Sequence, residues 1–129
     1  MKFISFKKDE KLFYGVIENH MIYDLHKLDS NISKTMLGFI EGGSDQLNLA
    51  KKVIQENEPL INVKDIELLS PLINPPSVRD AYAFRQHVAT ARRNRGLEMI
   101  PEFDEIPIFY FTNHNAVFGP GNFPVLSKH

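Results

Sequence analysis

Within residues 79–87, Arg-Asp-Ala-Tyr-Ala-Phe-Arg-Gln-His, the chain gathers a carboxylate at Asp80, a phenol at Tyr82, a guanidinium at Arg85 and an imidazole at His87. A carboxylate is a hard ligand suited to a hard divalent cation. An imidazole near neutrality takes a proton from water, and a guanidinium fork grips a substrate carboxylate at two points. Spacing limits how these groups cooperate. Asp80 and Tyr82 are two apart and point to one side of an extended segment, whereas Asp80 and His87, seven apart, fall on one helical face about 10.5 Å apart along its axis. That gap excludes direct contact and leaves room for a cation and a small substrate, or for no relationship at all.

Plainer roles compete for the same residues. An Asp just ahead of a helix commonly caps it, and a helical His between Phe84 and Val88 commonly packs against its neighbours. Arg92, Arg93 and Arg95 read most simply as a solvated helix end. Gly119-Pro120-Gly121 is a turn without the glycine spacing of a phosphate loop, and His20, His26, His114 and His129 have no metal-ligand spacing. On residue types alone the plainer roles are the better reading.

The elements that must position these groups follow from periodicity. Residues 3–6, 12–17 and 21–25 read as three strands of a small meander, separated by the polar turns Lys8-Asp9-Glu10 and Glu18-Asn19. Leu12, Tyr14 and Val16 alternate with Phe13 and Ile17, so both faces of the second strand carry apolar groups and both are expected to be covered. Ile32, Met36, Phe39 and Ile40 form a helical stripe ending at Gly42-Gly43. Ser44 is the expected N-cap of a second helix, with Leu47, Ala50 and Ile54 on one face and its end near Asn57, before Pro59. A return strand is expected over residues 63–69. Pro71, Pro75 and Pro76 mark a stiff connector at 71–76 between an N-terminal α+β domain, 1–70, and a second region, 77–129. There Phe84, Val88 and Ala91 place a helix in residues 78–95, closed by Gly96, and 108–111 and 116–118 read as strand material without an obvious partner in this chain.

Composition bounds the function classes. Of 129 residues 43% are apolar and 24% charged, with ten Phe and four Tyr, enough for a packed core. A formal net charge of -1 gives no electrostatic reason to expect nucleic acid or an anionic membrane as partner. No cysteine is present, which removes disulfides, thiolate metal sites and cysteine nucleophiles. The first residues are too polar for a secretory signal and no apolar run approaches the ~20 residues that span a bilayer, so a cytoplasmic location is expected.

Residues 68–80, Leu-Leu-Ser-Pro-Leu-Ile-Asn-Pro-Pro-Ser-Val-Arg-Asp, run on through Tyr82-Ala83-Phe84 and Gln86-His87-Val88. They are followed by residues 95–102, Arg-Gly-Leu-Glu-Met-Ile-Pro-Glu, by Ile-Pro-Ile-Phe-Tyr-Phe at 106–111, and by Asn115-Ala116-Val117 with Gly119-Pro120-Gly121. In order and spacing, over more than fifty residues, this stretch resembles the start of the catalytic domain in fumarylacetoacetate hydrolase family proteins. Residues 3–6, 15–17 and 23–25 resemble the family's first hairpin region.

The resemblance implies an α+β fold, a small N-terminal β-meander with two helices followed by the first part of a mostly-β catalytic domain. It implies a hydrolase dependent on Mg2+ or Ca2+ that cleaves a carbon–carbon bond beside a carbonyl in a small 2-oxo or 1,3-dioxo acid, such as an acylpyruvate or fumarylacetoacetate. Asp80 then matches the first metal ligand and His87 the base that activates water, while Tyr82, Arg85 and Arg95 hold substrate oxygens. The full-length protein is expected to be a homodimer. The family's paired glutamates and further aspartate fall beyond residue 129, so this chain alone is expected to bind the cation weakly and to be inactive. Decarboxylases, hydratases and isomerases of the same superfamily use similar sites. An alternative of another class is a non-catalytic interaction or oligomerisation module whose strands after Ile106 pair with another chain.

Overall fold

A computed structural model describes residues 1–122 together with Val125 and Ser127; His129 lies outside the described residues. The architecture is α+β, in two compact units: Met1–Asn74 with the segment from Asn115 onward, and Pro75–His114. Among the described residues no helix is long and apolar enough to cross a membrane.

In the first unit β1 (Lys2–Lys8), β2 (Lys11–Glu18) and β3 (Met21–Asp24) form the expected antiparallel meander. Both connections are two-residue turns in which Asp9, Glu10, Asn19 and His20 all take positive φ, between 48° and 66°. That is the backbone hand that matches the twist of the flanking strands. Gly15 sits where a side chain has no room, since a Cβ there would lie 2.0 Å from the Tyr23 carbonyl oxygen on the neighbouring strand.

The register sorts side chains by face, because directly opposed residues project to the same side. Phe3, Ser5, Tyr14, Val16 and Tyr23 face α1 (Leu25–Leu28), α2 (Met36–Glu41) and α3 (Gly43–Glu56). There Tyr14, Val16, Leu25, Ile32, Phe39, Ala50 and Val53 make the core. The opposite face is also closed, since Phe6 and Ile22 are both 0% exposed. Phe6 opposes Phe13 and Leu68, and Ile22 opposes Ile17 and Ile61. The expectation that both faces are covered is met.

Three local readings change. The helix does not begin at Ile32: Thr35 caps α2, its hydroxyl accepting from the Gly38 N–H at 3.1 Å. Ile32 reaches the core from the loop ahead of it, and its carbonyl accepts a 2.6 Å hydrogen bond from His26 Nδ1. Ser44 is not a cap either. Gly43 already belongs to α3, and its φ of +57° lets the chain turn between two helices with no linker. Finally, the return strand over 63–69 is two short strands, β4 (Ile61–Asn62) and β5 (Glu67–Leu68), joined by a 3-10 turn at Val63–Asp65.

Those two strands add to opposite edges, giving the order β4-β3-β2-β1-β5. In a flat sheet the outer strands would stand about 19 Å apart. Asn62 and Glu67 can span at most about 18 Å even when extended, and the 3-10 turn shortens that reach. The sheet must therefore curl, which is what encloses Phe6 and Ile22.

The second unit contains β6 (Val78–Ala81), α4 (Arg85–Arg93), α5 (Glu102–Glu105) and β7 (Phe109–Thr112). The helix expected over 78–95 is thus confined to 85–93: residues 78–81 instead pair antiparallel with β7, which supplies the partner that sequence reading did not find for 108–111. Gly96, at φ +71°, follows the end of α4 as expected. Residues 116–118 are not a strand; they belong to the first unit, where the Val117 carbonyl lies 3.5 Å from Ser70 Oγ.

Candidate functional site

Strand β6 places Asp80 opposite Tyr110. Beyond the strand the Tyr82 N–H donates to the Ile108 carbonyl at 3.1 Å, which extends the ladder by one position. Asp80, Tyr82 and Tyr110 therefore share one face of the ribbon, in line with their spacing in sequence. The other face carries Arg79, Phe109 and Phe111. The Arg79 guanidinium lies 5.0 Å from the Phe111 ring centroid and 5.8 Å from that of Phe109, and it donates to Ser77 Oγ at 2.8 Å. This cation–π pairing holds Arg79 away from the face of Asp80.

His87 stands in the first turns of α4, exposed, on an open depression lined by Ala83, Phe84, Arg85, Gln86, His87 and Thr90. Asp80 is not part of that lining. Because Asp80 is on a strand and His87 on a helix, the helical separation of about 10.5 Å does not apply to them. Both plainer roles also fall away. The cap position of α4 is Phe84, with no side-chain cap bond, and the residue that α4 buries is Val88 while His87 is exposed. Among the described residues no hydrogen bond or ion pair engages the side chains of Asp80, Tyr82 or His87.

Arg85 differs. Its Nε and one terminal nitrogen donate to the two carboxylate oxygens of Asp104 on α5 at 2.9 and 3.1 Å, a two-point ion pair. The hydrogen bond to Asp104 raises the Arg85 pKa further, and the same bond holds the Asp104 carboxyl below the usual carboxylate range. The fork proposed for a substrate is thus occupied by a carboxylate of the chain itself. Sequence reading missed Asp104, which lies nineteen residues from Arg85 with no local spacing to mark it. Arg95 is exposed beyond the end of α4, and its backbone N–H donates to the Arg92 carbonyl.

The arrangement offers a free carboxylate and phenol on one ribbon face and a free imidazole on the adjoining helix. Among the described residues no three His, Cys, Asp or Glu side chains come together to hold a metal ion. One carboxylate does not satisfy a divalent cation that takes six or more oxygens, so these residues fit a partial site only. No protein-family model matches the chain, and no curated protein matches it.

Proposed function

We propose that this chain is the amino-terminal portion of a divalent-metal-dependent hydrolase of the fumarylacetoacetate hydrolase kind, cleaving a carbon–carbon bond in a small 2-oxo or 1,3-dioxo acid. The reading rests on the order of residues 68–121, and one observation carries it: Asp80 and His87 are exposed and uncommitted, with neither the cap nor the packing role that would explain them otherwise. In this reading Asp80 supplies one hard oxygen to Mg2+ or Ca2+, and further carboxylates come from outside these 129 residues. A bound cation would polarise the substrate carbonyl. His87, unpaired among the described residues, takes the proton from water, and Tyr82, on the face of Asp80, donates to a substrate oxygen. Arg95 is the arginine left for a substrate carboxylate, because Arg85 is held by Asp104.

The test is a screen of the complete protein against acylpyruvates and oxaloacetate, with and without Mg2+ or Ca2+, following loss of the enol absorbance. Metal-dependent turnover is expected, lowered by roughly 100- to 10,000-fold in His87→Asn, the range for removing a general base. Absence of turnover for every 2-oxo acid would reject the enzyme.

A further inference from the structure

One end of the helix-side face of the first unit is not filled by its own side chains. Ser5 lies in line with Phe3 and Lys7 and opposite Tyr14, so a small residue stands where the neighbouring positions carry large ones. Its Oγ donates to the Pro71 carbonyl at 2.7 Å, which ties the connector to the sheet at this point. Leu72 and Ile73 then line a cavity of about 300 Å³ together with Met36 and Leu37 of α2 and with Leu12, which is 59% exposed at its margin. Every lining residue belongs to the first unit. Most polar groups of the lining are already engaged. The Tyr14 hydroxyl donates to the Ser33 carbonyl and the Thr35 hydroxyl accepts from the Gly38 N–H, so what remains toward the cavity is chiefly apolar.

A second depression adjoins the first, sharing Leu12, Phe13, Tyr14 and Lys34 with it and adding Asp24, His26 and Lys27. Lys27 and Lys34 are exposed, and among the described residues no ion pair engages either. Asp24 is the one carboxylate in either lining, and its Oδ1 accepts the Lys27 N–H at 3.2 Å. His26 is held through Nδ1 by the Ile32 carbonyl. An apolar cavity therefore opens onto a surface where two unpaired ammonium groups face one carboxylate.

We propose that the first unit binds a small monocarboxylic acid with an unbranched apolar chain, the chain among Leu12, Met36, Leu72 and Ile73 and the carboxylate at Lys34. Size selects the chain. At roughly 30 Å³ for a water-sized group, a cavity of 300 Å³ admits about ten such groups, the heavy-atom count of octanoate. A lipid with two long acyl chains does not fit. Charge selects the head, because the surplus of cation at Lys27 and Lys34 attracts an anion and opposes an amine. The ammonium of Lys34 meets the carboxylate as a mobile point charge in water, so that contact adds orientation more than affinity, and burial of the chain supplies most of the binding. The site uses none of the residues proposed for hydrolysis and does not depend on that reading.

Two-dimensional NMR of the full isotope-labelled chain, titrated with octanoate, reads the site without requiring any variant to fold. Saturable shifts are expected at the amides of Leu12, Lys34, Met36 and Leu72, with those of residues 78–112 unmoved, and with a Kd on the order of 0.1–1 mM for a ligand of this size. Acetate, the head without the chain, and octylamine, the chain with the opposite charge, are each expected to bind about tenfold more weakly or worse. Lys34→Glu, a change at an exposed loop position, is expected to weaken octanoate about fivefold or more while the rest of the spectrum stays as it was. Shifts that do not saturate, or that spread equally over residues 78–112, overturn the site. Octylamine binding as tightly as octanoate, or an unchanged Kd in Lys34→Glu, overturns the carboxylate as its ligand.

Discussion

The two units use aromatic residues in opposite ways. In the first, Phe6 is completely enclosed, and Phe39 packs between Phe3 and Tyr14 with ring centroids 5.0 and 5.8 Å away. In the second, Val88 is the large apolar side chain that is buried, while Phe84, Phe109, Tyr110 and Phe111 face outward, Phe84 at 78% exposure. The first unit thus carries the burial that stabilises it within its own residues, through the curl and the three helices. The second arranges a ribbon and two helices that leave most of their aromatic surface exposed, and it is there that the uncommitted Asp80 and His87 sit.

Paired truncations test that contrast most directly. Phe6→Ala is expected to cost the first unit about 3–5 kcal/mol, the range for emptying a buried phenylalanine site. Phe111→Ala, the same chemical change on an exposed site, is expected to fall within roughly 0.5 kcal/mol at low micromolar concentration. Urea unfolding followed by circular dichroism measures both, and equal costs would abolish the distinction. Gly15→Ala is expected to cost the first unit about 3 kcal/mol, the upper end for overpacking, because its new methyl meets backbone and not a yielding side chain.

Tyr14 extends the contrast to pH. Its hydroxyl donates to the Ser33 carbonyl at 2.6 Å, and burial, reinforced by the charge of Asp24, raises its pKa to about 12. The folded value lies above the unfolded value of about 10, so the contribution is fully present below pH 10 and is lost as pH rises through 12. Tyr14 should contribute a fall of roughly 2–3 kcal/mol in the stability of the first unit across that window, and Tyr14→Phe should remove that share of the dependence. Denaturation midpoints measured against pH decide it. The smallest effect is expected in the second unit. The depressed pKa of Asp104 means that its clasp on Arg85 is present above the ordinary carboxylate range and is lost as pH falls through the folded value. Protection of the α5 amides, taken relative to their intrinsic exchange at each pH, should fall as pH drops below the ordinary carboxylate range and already be low in Asp104→Asn.

What was legible in the sequence was what neighbouring residues decide. The three strands of the meander are close in sequence, alternate in polarity and are joined by two-residue turns, so each strand locates the next. The end of α3 at Asn57 was legible because Pro59 follows. What escaped depended on distant partners. Residues 78–81 look helical when joined to Phe84 and Val88, and become a strand because 109–112 lie beside them. Residues 63–69 read as one strand because both ends are apolar, although the strands found here, 61–62 and 67–68, serve opposite margins of a sheet. At the site, sequence identified the groups and the shared face of Asp80 and Tyr82, but not the commitment of Arg85 to Asp104.

The short link at Val63–Asp65 makes the fate of those margins common. Because the same few residues hold both outermost strands in place, the first unit has no independent hem to fray. A protease cutting at exposed Lys64, or glycines inserted there, would release both sides of the wrap at once and uncover Phe6 and Ile22 together. Resistance to unravelling in this region is therefore all-or-none, set by a hinge-sized segment of the first unit.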